Sequence, residues 1–383
     1  MADFSSVYPQ LDNQVRAILE RAQLPSTGRL NHLLEKSAGE QLELPELAEL
    51  LEIGAVDNDE GAFERLRASV LSRWRMASGN RLRYVAPIYV SSFCVDQCAY
   101  CNFAATRAAT VRKRLTLDEL RQEIEAVMAN GARVIELVYA TDLEFTTEML
   151  ASYVGATVEA LKGHEGAGAL LCTEYLTRED YRVLRGAGLD GIVQWDETLD
   201  EAAYKHWHDS SPHKRAFQTR MDNHDRALAA GLDVATGVLF GLTDYRYDAL
   251  MQIAKARHFQ SEYGKPPFAF GSARLKPIGG HELRLKTSTS DRAWEAALMV
   301  YQLAVPEAGR WLQTRENFEM NLRNLLNNDV FTYRCGDVTP GGYHQVANGQ
   351  AIRRGQFGVN ELTREYVEAA LAERNFRIDY AWM

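Results

Sequence analysis

Apolar positions in the first eighty residues recur three and four apart. Leu44, Leu47, Leu50 and Leu51 form one such set; Phe63, Leu66, Val70, Leu71 and Trp74 form another. That rhythm predicts helices with one packed face, so residues 1–80 are expected to be a helical extension on a main domain spanning 81–383. From Arg83 onward the pattern changes. Short apolar runs at 84–90, 134–138, 169–172, 191–194, 234–240 and 268–273 read as strands. Amphipathic helices lie between and after them, such as 117–128 and 292–303. The first of these opens with Thr116-Leu117-Asp118-Glu119, in which a hydroxyl and a carboxylate can cap each other's backbone N–H. Strands alternating with helices imply a parallel sheet. About six such units in series predict an α/β fold, a (β/α) barrel, complete or partial.

A barrel constrains where chemistry can occur, because its active site gathers at the C-terminal ends of the strands. Thr141, Asp142, Glu174, Glu197, Thr243, Asp244, Arg274 and Lys276 all fall at predicted strand ends and would converge on one mouth. Each alone could be a helix cap or a surface charge; their shared position carries the weight.

Composition changes this picture little. The chain has 383 residues, 46% apolar and 25% charged, enough for a sizeable core. A net charge of −9 argues against nucleic acid as the main partner. No apolar run reaches the length of a membrane span, and the start Met-Ala-Asp-Phe-Ser-Ser has no secretory pattern. Five cysteines, three of them clustered, suggest a reducing compartment, so a cytoplasmic protein is expected.

The cluster is Cys94, Cys98 and Cys101, within Phe93-Cys94-Val95-Asp96-Gln97-Cys98-Ala99-Tyr100-Cys101-Asn102-Phe103, directly after the first strand. Three thiolates on one tight loop can hold three irons of a [4Fe–4S] cube and leave the fourth iron open, whereas cubes normally take four cysteines. Isolated buried cysteines usually pack as small hydrophobes, which three in eight residues fit poorly. A structural zinc site normally takes four ligands, and neither Cys172 nor Cys335 has a nearby partner in sequence. A non-catalytic iron–sulfur or zinc-binding protein is the reading from a different class.

The spacing resembles the signature of the radical S-adenosylmethionine (SAM) enzymes. Further segments, in order from about Tyr84, resemble the ThiH-like aromatic amino-acid lyases: Ala86-Pro87-Ile88-Tyr89-Val90-Ser91, Asp196-Glu197-Thr198, Gly237-Val238-Leu239-Phe240-Gly241-Leu242, Ala273-Arg274-Leu275-Lys276-Pro277, Thr314-Arg315-Glu316 and Pro340-Gly341-Gly342-Tyr343. The resemblance implies a [4Fe–4S] cluster on Cys94, Cys98 and Cys101, with SAM on the open iron. Tyr100 would cover the cluster, and Glu197 and Arg220 would hold polar groups of SAM. Arg315 would clamp the substrate carboxylate through two parallel bonds, and Tyr89 would line the substrate pocket, as would Arg274 and Glu174. The implied reaction is radical cleavage of a free aromatic amino acid, first of all tyrosine at Cα–Cβ, giving p-cresol and 2-iminoacetate. Tryptophan or another small amino-acid-like carboxylate is the alternative. Implied partners are the amino acid, a reducing donor such as flavodoxin or ferredoxin, and a protein that accepts an unstable product; no nucleic acid or membrane is expected.

The departures from the family pattern lie near the expected pocket. The group's Thr-Gly-Glu after the second strand is here Tyr139-Ala140-Thr141-Asp142, so Thr141 or Asp142 would have to replace the glutamate. A Gln-Pro-Leu segment becomes Glu174-Tyr175-Leu176, which could recognise a group that tyrosine lacks. An arginine becomes Lys276, which is not equivalent at a bidentate site. Cys335 stands alone, so the second cluster of the hydrogenase-maturation relative is not expected.

Overall fold

The computed structural model describes residues 2–56, 59–276, 288–312, 314–333, 339–350, 355–357 and 362–383; Pro277 and Cys335 fall outside them. The strands are β1 (Asn80–Tyr84), β2 (Ala86–Ser91), β3 (Val134–Tyr139), β4 (Gly168–Cys172), β5 (Gly191–Glu197), β6 (Asp233–Phe240), β7 (Ala269–Arg274), β8 (Gly309–Leu312), β9 (Val330–Phe331) and β10 (Phe376–Asp379). All pair in parallel in one sheet ordered β10-β1-β9-β8-β7-β6-β5-β4-β3-β2. Strands covered on both faces read as continuous apolar runs, and every residue of β2 and β3 is buried.

The sheet curls into a partial barrel. β1 and β2 are consecutive, with Val85 between them, so the chain itself joins the two flanks at the lower end. Val85 N–H donates to the Phe331 carbonyl at 3.3 Å, and the Thr332 hydroxyl donates to the Val85 carbonyl at 3.0 Å. The six expected strands are present. The short additions β8, β9 and β10 carry too few residues to show an alternating pattern, and the first expected run is divided at Val85.

Inward-facing residues stack in layers, as alternation along parallel strands requires. The lowest layer is apolar: Val85, Val134, Leu170, Val193, Ala235, Ala269, Trp311 and Val330, with Phe268, Trp382 and Met383 packed against it. Above it the interior opens into a cavity.

The helical beginning comprises Phe4–Arg21, Thr27–Lys36, Leu44–Ala55 and Glu60–Trp74. It lies against the outer helices Tyr245–Tyr263 and Asp291–Ala304, and its first helix also bonds to the loop after β5, where the Tyr8 hydroxyl donates to the Leu199 carbonyl at 2.8 Å. The Tyr245 hydroxyl donates to the Leu51 carbonyl at 2.6 Å. Gly54 lets two helices meet, since a Cβ there would stand 2.6 Å from that of Ala296. The helix Leu117–Ala129 starts with the expected reciprocal cap between Thr116 and Glu119. No described helix is long and apolar enough to cross a membrane.

Candidate active site

The cavity occupies about 1320 Å³, including its open mouth, at the C-terminal ends of the strands. Cys94, Cys98 and Cys101 line one side, on the loop that leaves β2. Asp96, fully buried, organises that loop. Its carboxylate accepts from the Thr141 hydroxyl at 2.6 Å and from the backbone N–H groups of His213 and Lys214 at 3.0 and 3.1 Å. Val95 N–H donates to the Thr141 carbonyl at 3.1 Å. Gln97 N–H donates to the Ser211 hydroxyl at 3.0 Å. Residues 355–357 reach over from the far end of the domain. There the Gly355 and Gln356 carbonyls accept from Asn102, each at 3.1 Å, and the Gln356 amide donates to the Cys101 sulfur at 3.7 Å.

Burial pushes the Cys94 thiol up to about 11 and Cys98 up to about 12, and raises Cys101 as well; each pair involving Cys101 adds mutual repulsion. Three thiols on one loop, one buried and two partly so, become thiolates together only when cations take their protons' place, which is the chemistry of an iron–sulfur cube. Among the described residues no three His, Cys, Asp or Glu side chains converge on one metal ion; a cube engages each thiolate through its own iron. The donor set fits a three-cysteine cluster.

Beside the cysteines lies a buried ionic set. Glu197 ends β5 with φ of +68°, a strained conformation for a residue with a side chain. The pairing slips there, Trp195 facing Gly237 and Glu197 facing Val238, and such a bulge re-aims the side chain at a sheet end. The Lys214 ammonium is 2.5 Å from Glu197 Oε1, and Arg220 Nη2 is 3.8 Å from the same oxygen. Burial alone would raise the Glu197 carboxyl, but Lys214 and Arg220 hold it below its ordinary value. Arg220 also donates to Glu174 at 2.6 Å and, through Nε and Nη2, to the Trp195 carbonyl at 3.0 and 2.7 Å. Tyr100 lies nearby, its hydroxyl 2.5 Å from His208 Nε2. Burial lowers His208 to about 3, so the ring is neutral. Its Nδ1–H donates to the Tyr204 carbonyl at 2.8 Å, leaving Nε2 to accept from Tyr100.

Arg315 enters after β8. Its guanidinium carbon sits 4.0 Å from the centre of the Phe357 ring, and its buried Nε has no hydrogen-bond partner among the described residues. Tyr89, on β2, donates to the Gln356 side-chain carbonyl at 2.8 Å. The cavity thus gathers Tyr89, Tyr100, Thr141, Glu174, Glu197, Arg220, Arg315 and the three cysteines.

Asp142 and Arg274 do not line it. Both Asp142 oxygens accept from Arg114 at 2.7 Å, one of them also from Ser91 at 2.5 Å, which turns the carboxylate away from the interior. Arg274 is spent on Glu316 at 2.5 Å and Asp291 at 2.7 Å. Thr141, though at the wall, already donates to Asp96. Tyr175 packs towards His213, its ring centre 6.3 Å away.

The sequence reading passed over Asp96, Lys214, Gln356, Trp195 and Glu136, all of which line the cavity. Two signals were available. Asp96 lies between the first two cysteines, and Glu136 is a carboxylate inside an apolar strand, where such groups are rare.

Residues 88–256 match the family model of the radical SAM superfamily. The chain is 29% identical over 291 residues to 2-iminoacetate synthase of Escherichia coli (strain K12), covering 74% of each protein. It is 28% identical to the 2-iminoacetate synthase of Salmonella typhimurium, covering 72% of each. Among solved structures it resembles HydG, a maturase of the [FeFe]-hydrogenase, with a TM-score of 0.85 and 25% identity over 96% of this chain and 80% of that one. The curled parallel sheet, the three-cysteine loop at its mouth and these similarities identify a radical SAM domain, similar to that of the ThiH-like enzymes.

Proposed function

We propose that the protein cleaves the Cα–Cβ bond of a free aromatic amino acid, tyrosine first, releasing p-cresol and 2-iminoacetate. The supporting observation is that one cavity holds both the cysteine triad and a guanidinium whose Nε–H has no partner among the described residues. With the cluster and SAM bound, reductive cleavage of SAM supplies a 5′-deoxyadenosyl radical.

The chain's own residues would do the rest. Cys94, Cys98 and Cys101 hold the cluster, and Asp96 fixes their loop. Glu197 and Arg220, with Thr141 at the wall, face the polar groups of SAM, and Tyr100 covers the cluster from a position locked by neutral His208. Arg315, with one face on Phe357, offers its N–H edge to the substrate carboxylate, for which a planar fork is suited. Tyr89 and Phe103 close the side of the pocket. Positioning is the main task, since the radical attacks whichever hydrogen is held nearest. The electron donor is of the flavodoxin or ferredoxin kind, the setting cytoplasmic, and the unstable imine passes to an accepting protein.

The test uses anaerobically reconstituted protein, SAM, dithionite and tyrosine, followed by mass spectrometry. The proposal expects 5′-deoxyadenosine together with p-cresol. Deoxyadenosine from tryptophan or another amino acid, with no p-cresol from tyrosine, overturns the substrate assignment.

A further inference from the structure

Glu136 stands at mid-height of β3, between Val134 of the floor layer and Val138 of the upper wall. Its strand neighbours Ile135 and Leu137 belong to the outer core, so alternation sends Glu136 inward. In the sheet it pairs with Pro87 and Leu170, and it shares the cavity wall with Cys172, Trp195, Trp311 and Thr332. The other polar groups there are already paired: Trp311 Nε1–H donates to the Thr332 hydroxyl at 3.2 Å, and that hydroxyl donates to the Val85 carbonyl. For the Glu136 carboxyl, the recorded partner among the described residues is the Cys172 thiol, a weak one. A buried carboxyl with most of its bonding capacity unspent is costly unless a ligand completes it.

We propose that Glu136 is the specificity-determining residue of this cavity, binding the polar tip of an aromatic side chain whose amino-acid end is held at the mouth. The inference rests on the reading of Arg315 as the carboxylate clamp and adds what the far end of the substrate must be: a ring carrying a neutral hydroxyl or N–H. Burial pushes the carboxyl up to about 8, so it is neutral near pH 7 and can donate and accept at once. A phenol or indole tip complements both functions. A bare phenyl ring leaves the carboxyl unsatisfied, and hydrogen-bonding sites discriminate strongly against such analogues. The ring itself would lie among Tyr89, Phe103, Val138, Trp195 and Leu239.

The experiment measures binding of p-cresol and of toluene to the cluster- and SAM-loaded enzyme by calorimetry, in wild type, Glu136→Gln and Glu136→Leu. The wild type is expected to prefer p-cresol by about 10- to 100-fold. Glu136→Gln should keep most of that preference, and Glu136→Leu should bring the two ligands to near parity. An unchanged preference in Glu136→Leu, or none in wild type, overturns the proposal. The infrared carbonyl band of the protonated acid provides a readout that needs no folded variant: it should shift when p-cresol binds wild type, and a band that stays put counts against the idea. Failure of the lyase reading shows separately, as tyrosine turnover without p-cresol while the ligand preference persists.

Discussion

Arg220 donates to Glu174 across 2.6 Å while two of its other N–H groups hold the Trp195 carbonyl, so one guanidinium ties the ends of β4 and β5 together. Its side chain is 4% exposed, that of Glu174 16%. Removing one partner of a buried pair costs about 3–5 kcal/mol because the other charge is stranded. Arg220→Met should therefore lose roughly that much, and Glu174→Gln less, since Arg220 keeps Glu197 and the carbonyl. The double variant should lose less than the sum in anaerobic urea unfolding. Strictly additive losses would show that the pair is not coupled.

Arg315 is expected to act on the substrate and not on the cluster. Arg315→Ala should raise KM for the amino acid by about 10- to 100-fold, the range for losing a charge-assisted bond. Arg315→Lys should recover only part of it, because an ammonium lacks the planar fork. Iron content and the visible spectrum should match wild type in both. A fall in iron content would instead make Arg315 a structural residue of the cysteine loop.

Asp96 accepts three hydrogen bonds from two segments around the cysteines, Thr141 after β3 and the adjacent N–H groups of His213 and Lys214. Asp96→Ala should leave those donors unpaired and lower the iron bound per chain after reconstitution, while Asp96→Asn retains an acceptor and loses less. Iron and sulfide analysis gives the answer. Full loading of Asp96→Ala would remove the residue from any organising role.

Trp195 fits the barrel because its neighbours are glycines. A Cβ at Gly237 would stand 2.5 Å from the indole and one at Gly271 2.7 Å. Gly237→Ala should destabilise by about 1–3 kcal/mol, the usual cost of overpacking, and a second change, Trp195→Leu, should relieve it. Equal losses in the single and double variants, read from thermal midpoints, would exclude the clash.

Glu136 gives a pH dependence of known sign. With its folded value at about 8 against an ordinary 4.5, the native chain keeps a proton that the unfolded chain releases between those values. Stability from this group is full below about 4.5, falls as pH rises towards about 8, and then levels off. Glu136→Gln has no proton to lose, so its thermal midpoint should gain on wild type across that window. Parallel curves would place the carboxyl in a solvated setting.

Much of this was legible in the sequence, for definite reasons. The cysteine loop has a fixed spacing, and strands long enough to alternate declared themselves, so the barrel and its mouth followed. Position at a strand end did not settle direction. Thr141 and Asp142 are adjacent, yet one reaches the wall and the other turns to Arg114, because the loop geometry after the strand decides orientation. Arg274 likewise meets Glu316, a partner 42 residues away. Lys214 and Gln356 reach the site from irregular segments that carry no periodic pattern.

The apolar layer under the cavity is completed by Trp382 and Met383, nearly three hundred residues along the chain from the cysteines. The Trp382 indole N–H donates to the Tyr84 carbonyl at 3.1 Å, and Met383 presses against Gly168, where a larger residue has no room. These two side chains act as a stopper. A chamber that handles a carbon radical needs a dry base as much as a guarded entrance, because water or oxygen seeping from below would meet the reaction from behind. In this architecture, control of wasteful turnover is shared between the mouth, where the cofactors enter, and a pair of side chains at the opposite pole.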